Sequence, residues 1–164
     1  MPHARFPTPL GDCLIGWHND AVTGFSLPGG IRPFAGETVT NPPPWVAAII
    51  ARVQRHLAGE LQDFSDVHYD FSDVPEFGHR VLQATLAVKA GRTATYGEIA
   101  AAIDEPPAAS RSVGAALGAN RWPLLIPCHR ITGAHGKMTG FSGPGGIATK
   151  VKLLALEGAE LFAE

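Results

Sequence analysis

At 164 residues, with 45% hydrophobic and 17% charged positions and a formal net charge of −2, the chain has ordinary globular composition, enough for one medium domain or two small ones sharing an interface. No apolar run approaches a membrane span, and the opening "MPHARFPTPLGD" lacks the apolar centre of a signal peptide, so an intracellular protein with no membrane partner is expected. Its 2 cysteines, Cys13 and Cys128, lie far apart and do not suggest a disulfide framework, and no CxxC or Cys/His cluster has zinc-like spacing, so no such metal site is expected.

Read in chain order, "DCLIGWHNDAVTGFSL" alternates around the polar break His18-Asn19-Asp20 and predicts a β-hairpin. "LPGGIRPFAGE" is a Gly/Pro loop. "NPPPWVAAIIARVQRHLAGEL" predicts a helix with Asn41 as N-cap, prolines in the first turn, and an apolar face of Val46, Ile49, Ile50, Val53 and Leu57. "VHYDFSDV" alternates again and predicts a strand. The acidic stretch ends near residues 73–76, which sets a boundary between 1–74, a small β-rich α/β domain, and 75–164, a mainly helical domain; the fold class is α+β.

The second half opens with "PEFGHRVLQATLAVKA", a helix starting at Pro75 and stopping by Gly91. In "TYGEIAAAI", Thr95 stands three residues before Glu98, the pattern of a capping box. Pro106-Pro107 end that helix and another begins within "AASRSVGAALGAN", which together read as a helix-turn-helix. On the third helix Val113, Ala116 and Leu117 face inward; Ser112, Ala115 and Ala119 face outward with Gly114 beside them. A helix reading base edges in the major groove carries long polar side chains. This bare face instead suits close approach to a minor groove, or equally another helix, with Arg111 as the exception. The half after residue 77 is also the more basic, a weak pointer to a polyanion.

"LLIPCHRITG" sets Cys128 against His129. The pair reads either as a small buried thiol or as a nucleophile, whose thiolate requires a nearby base. Neighbours on a strand point to opposite faces, so a bridging water is as natural as direct contact. A histidine base needs a partner to fix its tautomer. Glu157, in "KLLALEGA", is a candidate if Val151, Leu154 and Leu156 turn inward, although spacing alone favours a solvated helix end. Asn120 is either a helix C-cap or a bridge to the cysteine segment. His3, His18, His56, His68, His79 and His135 are scattered and read as surface or core. "GKMTGFSGPGGIA" is a glycine-rich loop without the end of a phosphate loop, and suits a lid carrying Phe141.

"TYGEIA" at 95–100, "SRSVGAALGAN" at 110–120, "IPCHRI" at 126–131 and "GFSGPGGIATKVKLLALEG" at 140–158 together resemble the O6-alkylguanine-DNA alkyltransferase family, and "TPLGDCLIGW" at 8–17 is similar to its N-terminal β-rich domain. No motif specifies self-association, so a monomer is expected, and the resemblance implies a protein that binds duplex DNA in the minor groove through the helix-turn-helix and flips out the damaged guanine. It then moves the O6-alkyl group irreversibly to Cys128, a chemistry that needs no metal or cofactor. It further implies His129 as a water-mediated base, Glu157 as its orienting carboxylate, Asn120 as the brace of the cysteine turn, and Tyr96 as the residue hydrogen-bonding or protonating the leaving base. Arg111 is implied as the finger replacing the flipped nucleotide, with Ser110, Ser112, Gly114 and Ala115 on DNA. Phe141, Ser142, Pro123, Met138 and the Ile131 carbonyl are implied around the base, and Lys150 is linked to the active-site loop. Phe141 stands where tyrosine is frequent in the family, the glycine loop is about two residues longer than its shortest version, and Cys13 lacks the partners of the N-terminal zinc found in some members. O4-alkylthymine as a second substrate stays open, as does a nuclear or bacterial cytoplasmic setting. Rival readings are a non-catalytic lesion-binding relative, a cysteine hydrolase and a transcription factor. The presence of Cys128 disfavours the first, and the bare helix face disfavours the last.

Overall fold

The computed structural model describes residues 2–29, 36–137 and 146–159. The fold is α+β. Strands β1 (His3–Thr8), β2 (Gly11–His18) and β3 (Ala21–Ser26) form an antiparallel sheet in that order, with Phe6 opposite Cys13 and Leu14 opposite Ser26. Asn19 takes a positive φ of 55° in the tight β2–β3 turn, a conformation asparagine tolerates better than most residues. Phe6, Cys13, Ile15, Trp17 and Phe25 are buried. Burial pushes the Cys13 thiol up to about 12, so this cysteine is a core side chain with almost no thiolate.

Helix α1 (Pro44–Leu57) covers the sheet with Val46, Ile49, Val53 and Leu57 buried, as its periodicity predicts. Its N-cap is Pro43, with no side-chain cap, and not Asn41: the proline run carries the chain extended past the asparagine, so its side chain never meets the first turn. The expected strand in "VHYDFSDV" is a second correction. Only one bridge forms, between Val22 and Tyr69, with Val22 N–H donating to the His68 carbonyl and Asp70 N–H to the Val22 carbonyl. Asp70 then accepts the Ser72 N–H at 3.0 Å, and this local turn ends the pairing.

Helix α2 (Glu76–Leu86) begins after Pro75 and ends four residues before Ala90, with Gly91 completing the exit at φ 90°. The two-residue strand β4 (Ala94–Thr95) leads into α3 (Tyr96–Ala102). The capping box is formed: Glu98 N–H donates to Thr95 Oγ1 at 3.0 Å and Thr95 N–H to Glu98 Oε1 at 2.8 Å. Pro106 and Pro107 end this segment and α4 (Ser110–Gly118) follows, completing the helix-turn-helix. Val113 and Leu117 are buried, whereas Arg111, Ser112, Ala115 and Ala119 are exposed. Strand β5 (Ile131–Thr132) pairs in parallel with β4, and α5 (Gly146–Leu156) closes the described chain. On α5 Lys150, Leu153 and the expected Leu154 are buried, Leu156 is half-buried against the core as expected, and Val151 is only half-buried.

One apolar core joins the two halves, running from Phe6 and Val53 through Val81 and Ile99 to Leu153. Trp122 pins the seam: it is fully buried, its Nε1–H donates to the Val22 carbonyl at 2.9 Å, and its ring meets Tyr69 edge-on. Among the described residues, no helix is long and apolar enough to cross a membrane.

Candidate active site

Cys128 sits not on a strand but at the start of a single 3-10 turn, Cys128–Arg130. The turn is entered through Pro127 at φ −80°, ψ 63°, where Cys128 N–H donates to the Ile126 carbonyl at 2.7 Å. This is an inverse γ-turn, and the proline ring fixes the φ it needs. Asn120 braces it from the end of α4. Its Nδ2 donates to the Ile126 carbonyl at 3.0 Å and its Oδ1 accepts the Trp122 N–H at 2.9 Å. Of its two readings the bridge is the one realised; Ala119 is the C-cap. Burial raises the Cys128 thiol above its ordinary value, against opposing pulls from the Asn120 amide and the Lys150 charge. The thiol at rest is therefore protonated, and its activation requires a base.

His129 is fully buried, and its Nε2 lies 2.9 Å from Glu157 Oε2. A carboxylate only accepts, so Nε2 carries the hydrogen and Nδ1 is left as the acceptor lone pair. Nδ1 is buried with no hydrogen-bond partner among the described residues. Burial lowers the His129 pKa, with the Glu157 contact working the other way, so the ring rests neutral and ready to take a proton.

Glu157 is the hub of the site. It is the C-cap of α5: Gly158, at φ 76°, ends the helix, with Gly158 N–H donating to the Ala155 carbonyl and Ala159 N–H to the Leu154 carbonyl. This is the Schellman pattern, for which a glycine in the left-handed conformation is suited. A carboxylate at a helix C-terminus opposes the helix dipole, so it needs donors from elsewhere. Arg130 grips it with two bonds of 2.9 Å, Nε to Oε1 and Nη2 to Oε2, and anchors its own Nη1 on the Val88 carbonyl at 2.7 Å. His56, from the last turn of α1, brings a further Nε2 to 2.9 Å from Oε2. Burial alone pushes Glu157 up, but the bonds from His129, His56 and Arg130 together outweigh it and hold the carboxyl well below the usual range. A solvated helix end, the reading favoured by spacing, is thus overturned.

The β4–β5 ladder sets Ala94 opposite Ile131 and Thr95 opposite Thr132, so Tyr96, the next residue, begins α3 beside the cysteine turn. Tyr96 is half-buried, and a Cβ built on Gly114 would lie 3.8 Å from its Cε1, placing the ring against α4. Lys150 is buried and its Nζ donates to the Ile131 carbonyl at 2.6 Å, tying α5 to β5. Pro123 is half-buried in the tight loop closed by the Ile126 N–H to Trp122 carbonyl bond. Ser110 is half-buried at the start of α4, away from the buried relay. Met138, Phe141 and Ser142 lie outside the described residues. No group of three or more His, Cys, Asp or Glu among the described residues is placed to hold a metal ion.

Two residues of the relay escape the sequence reading. Arg130 was in view beside the Cys-His pair, but its target was not. His56 is separated from Glu157 by 101 positions and carries no local signal beyond a histidine on an otherwise apolar helix face.

Residues 76–159 match the family model of the 6-O-methylguanine DNA methyltransferase DNA-binding domain. The methylated-DNA–protein-cysteine methyltransferase of Mycolicibacterium paratuberculosis is 42% identical over 150 residues, spanning 92% of this chain and 88% of that protein. Its counterpart in Methanothermobacter thermautotrophicus is 33% identical over 153 residues, spanning 93% and 83%. The crystal structure of Mycobacterium tuberculosis OGT in complex with DNA matches with a TM-score of 0.80 at 34% identity, covering 96% of this chain and 93% of that one. A buried cysteine on a braced turn, a buried His–Glu pair next to it and a small-faced helix-turn-helix thus coincide with these matches, and the chain belongs to the methylated-DNA–protein-cysteine methyltransferase family.

Proposed function

We infer that the chain repairs DNA by transferring the alkyl group of O6-alkylguanine in duplex DNA to its own Cys128, once per molecule. The observation that carries this reading is the 2.9 Å contact of His129 Nε2 with Glu157 Oε2: a carboxylate only accepts, so the hydrogen sits on Nε2 and Nδ1 is left a buried acceptor on the residue next to Cys128. The Cys128 proton passes through a water to Nδ1, and the imidazolium so formed is stabilised by Glu157. The thiolate attacks the alkyl carbon, a sulfur–carbon bond forms, and the bond from carbon to guanine O6 breaks. Guanine leaves with that electron pair, and Tyr96, standing beside the turn, supplies a proton to the ring. The Ile131 carbonyl, held by Lys150, and Pro123 bound the base pocket. Nothing among these groups cleaves a thioether, so the transfer ends the protein's activity.

Residues 75–164 form the DNA-binding and alkyl-acceptor domain, and residues 1–74 its structural companion. The exposed small side chains of Ser112 and Ala115, with Gly114 and Ser110 beside them, let α4 approach the minor groove closely. Flipping costs a few kcal/mol of stacking. Arg111, exposed at the start of α4, fills the gap and offsets part of that cost. The protein acts as a monomer, inside a reducing compartment that keeps Cys128 a free thiol.

Intact mass after incubation with a duplex carrying O6-methylguanine tests the reading. Wild type gains one methyl group per chain and Cys128→Ser gains none. Binding without mass gain makes the protein a lesion reader, and repair of many lesions per molecule makes the cysteine a turnover catalyst; either result overturns the assignment.

A further inference from the structure

Glu157 Oε2 accepts hydrogen bonds from three side chains, and only two belong to the cysteine turn. The third, His56, comes from α1 in the other half of the molecule and is fully buried. Its tautomer is determined by its surroundings. The Gln62 N–H donates to His56 Nδ1 at 2.9 Å, so Nδ1 is an acceptor and the ring hydrogen sits on Nε2, facing Glu157. The chain after α1 is built to deliver that N–H: Gly59 turns at φ 102° and Glu60 N–H returns to the Arg55 carbonyl at 2.9 Å. Phe64 closes the other side, with ring centroids 5.7 Å apart.

A carboxylate next to a histidine base can serve in two ways. It can orient the Nε2 hydrogen and hold it in place, or, if too basic, over-stabilise the imidazolium and keep the base protonated. Each further donor on Oε2 draws electron density and makes the first behaviour prevail. The groups facing His56 are Glu157 from the end of α5 together with His129 and Arg130 from the cysteine turn, all joined to the same carboxylate.

We propose that His56 is a positioning residue of the alkyl-transfer site: by donating Nε2–H to Glu157 Oε2 it fixes the carboxylate and limits its basicity, keeping the His129 proton on Nε2 and His129 Nδ1 free to accept. This deepens the alkyl-transfer reading and rests on it. It also makes α1 part of the relay rather than only a covering for the sheet.

The test is the pH profile of the single-turnover transfer rate on an O6-methylguanine duplex for wild type, His56→Phe and His56→Gln, together with 15N NMR titration of the imidazoles. Loss of the donor in His56→Phe leaves Glu157 more basic and the His129 imidazolium better stabilised. The acid limb of the rate then moves up by about one pH unit, and at a fixed pH on that limb transfer slows about tenfold. Affinity for the lesion duplex stays within about twofold, because His56 is buried away from α4. His56→Gln retains an N–H donor and returns the limb toward wild type. A limb that does not move in His56→Phe, or moves equally in both variants, overturns the proposal, since a merely structural role would lower rate and stability together at every pH. If His56→Phe does not fold, the wild-type spectrum decides: Nε2–H tautomers at both His56 and His129 support the proposal, and an Nδ1–H tautomer at His56 overturns it. A wild type that gains no methyl mass refutes alkyl transfer itself, while the NMR titration of His129 in wild type and His56→Phe still reads the coupling.

Discussion

Glu157→Gln tests the hub of the site. The substitution keeps size and shape but removes the charge and turns one acceptor oxygen into an N–H2 donor. That donor faces hydrogens already supplied by Arg130, His129 and His56, and Arg130, itself buried, loses its counter-ion. Removing one partner of a buried ion pair costs about 3–5 kcal/mol. For a chain of this length each kcal/mol moves the melting temperature by about 2–4 °C, so a fall of roughly 6–20 °C is expected at pH 7. The pH dependence supplies an independent check. The Glu157 carboxyl is depressed in the folded state, so the unfolded state binds the proton first and wild-type stability drops as pH falls below about 4.3, the ordinary value for glutamate. Glutamine has no such proton, so the gap between wild type and variant narrows from pH 5 toward pH 3. Urea unfolding of both proteins at pH 7, 5, 4 and 3 reads both effects. A difference under about 1 kcal/mol at pH 7, or a gap that stays constant on acidification, refutes the hub as described.

Asn120→Ala strips the brace from the cysteine turn and leaves the Trp122 N–H and one bond of the Ile126 carbonyl unmade. The Ile126 carbonyl keeps the Cys128 N–H, so the Trp122 N–H is the group left unsatisfied; a loss of about 1–3 kcal/mol in urea unfolding is expected, with transfer slowed further than binding because Cys128 is no longer held. Arg111→Ala changes unfolding by less than about 0.5 kcal/mol, since the side chain is exposed. It slows transfer from duplex O6-methylguanine about 10–100-fold through the lost compensation for flipping, and leaves reaction with the free base unchanged. Equal slowing with the free base would remove Arg111 from the flipping step.

Much of this fold is legible locally. The Asn19-Asp20 hairpin, the buried face of α1 and the Thr95–Glu98 capping box each follow from residues within a few positions of one another, and the structure has them all. The strand expected in "VHYDFSDV" and the Asn41 cap failed for an equally local reason, because an Asp-Ser turn and a proline run compete with the pattern they interrupt. The cysteine and its histidine were visible as a pair, and the family resemblance supplied Glu157 and Asn120 where spacing alone favoured a solvated end and left a cap open.

What the sequence by itself determined were the helices, the β2–β3 hairpin and the adjacency of Cys128 and His129, because periodicity, caps and turn residues act over a few positions of chain. The tertiary structure alone decided which donors meet Glu157. A helix C-terminus repels a carboxylate, and this one is stable in the core only because α1, α5 and the cysteine turn converge on it, with His56 arriving from 101 positions away. No pattern in the chain encodes that meeting, since it depends on how three elements pack and not on what stands beside each residue.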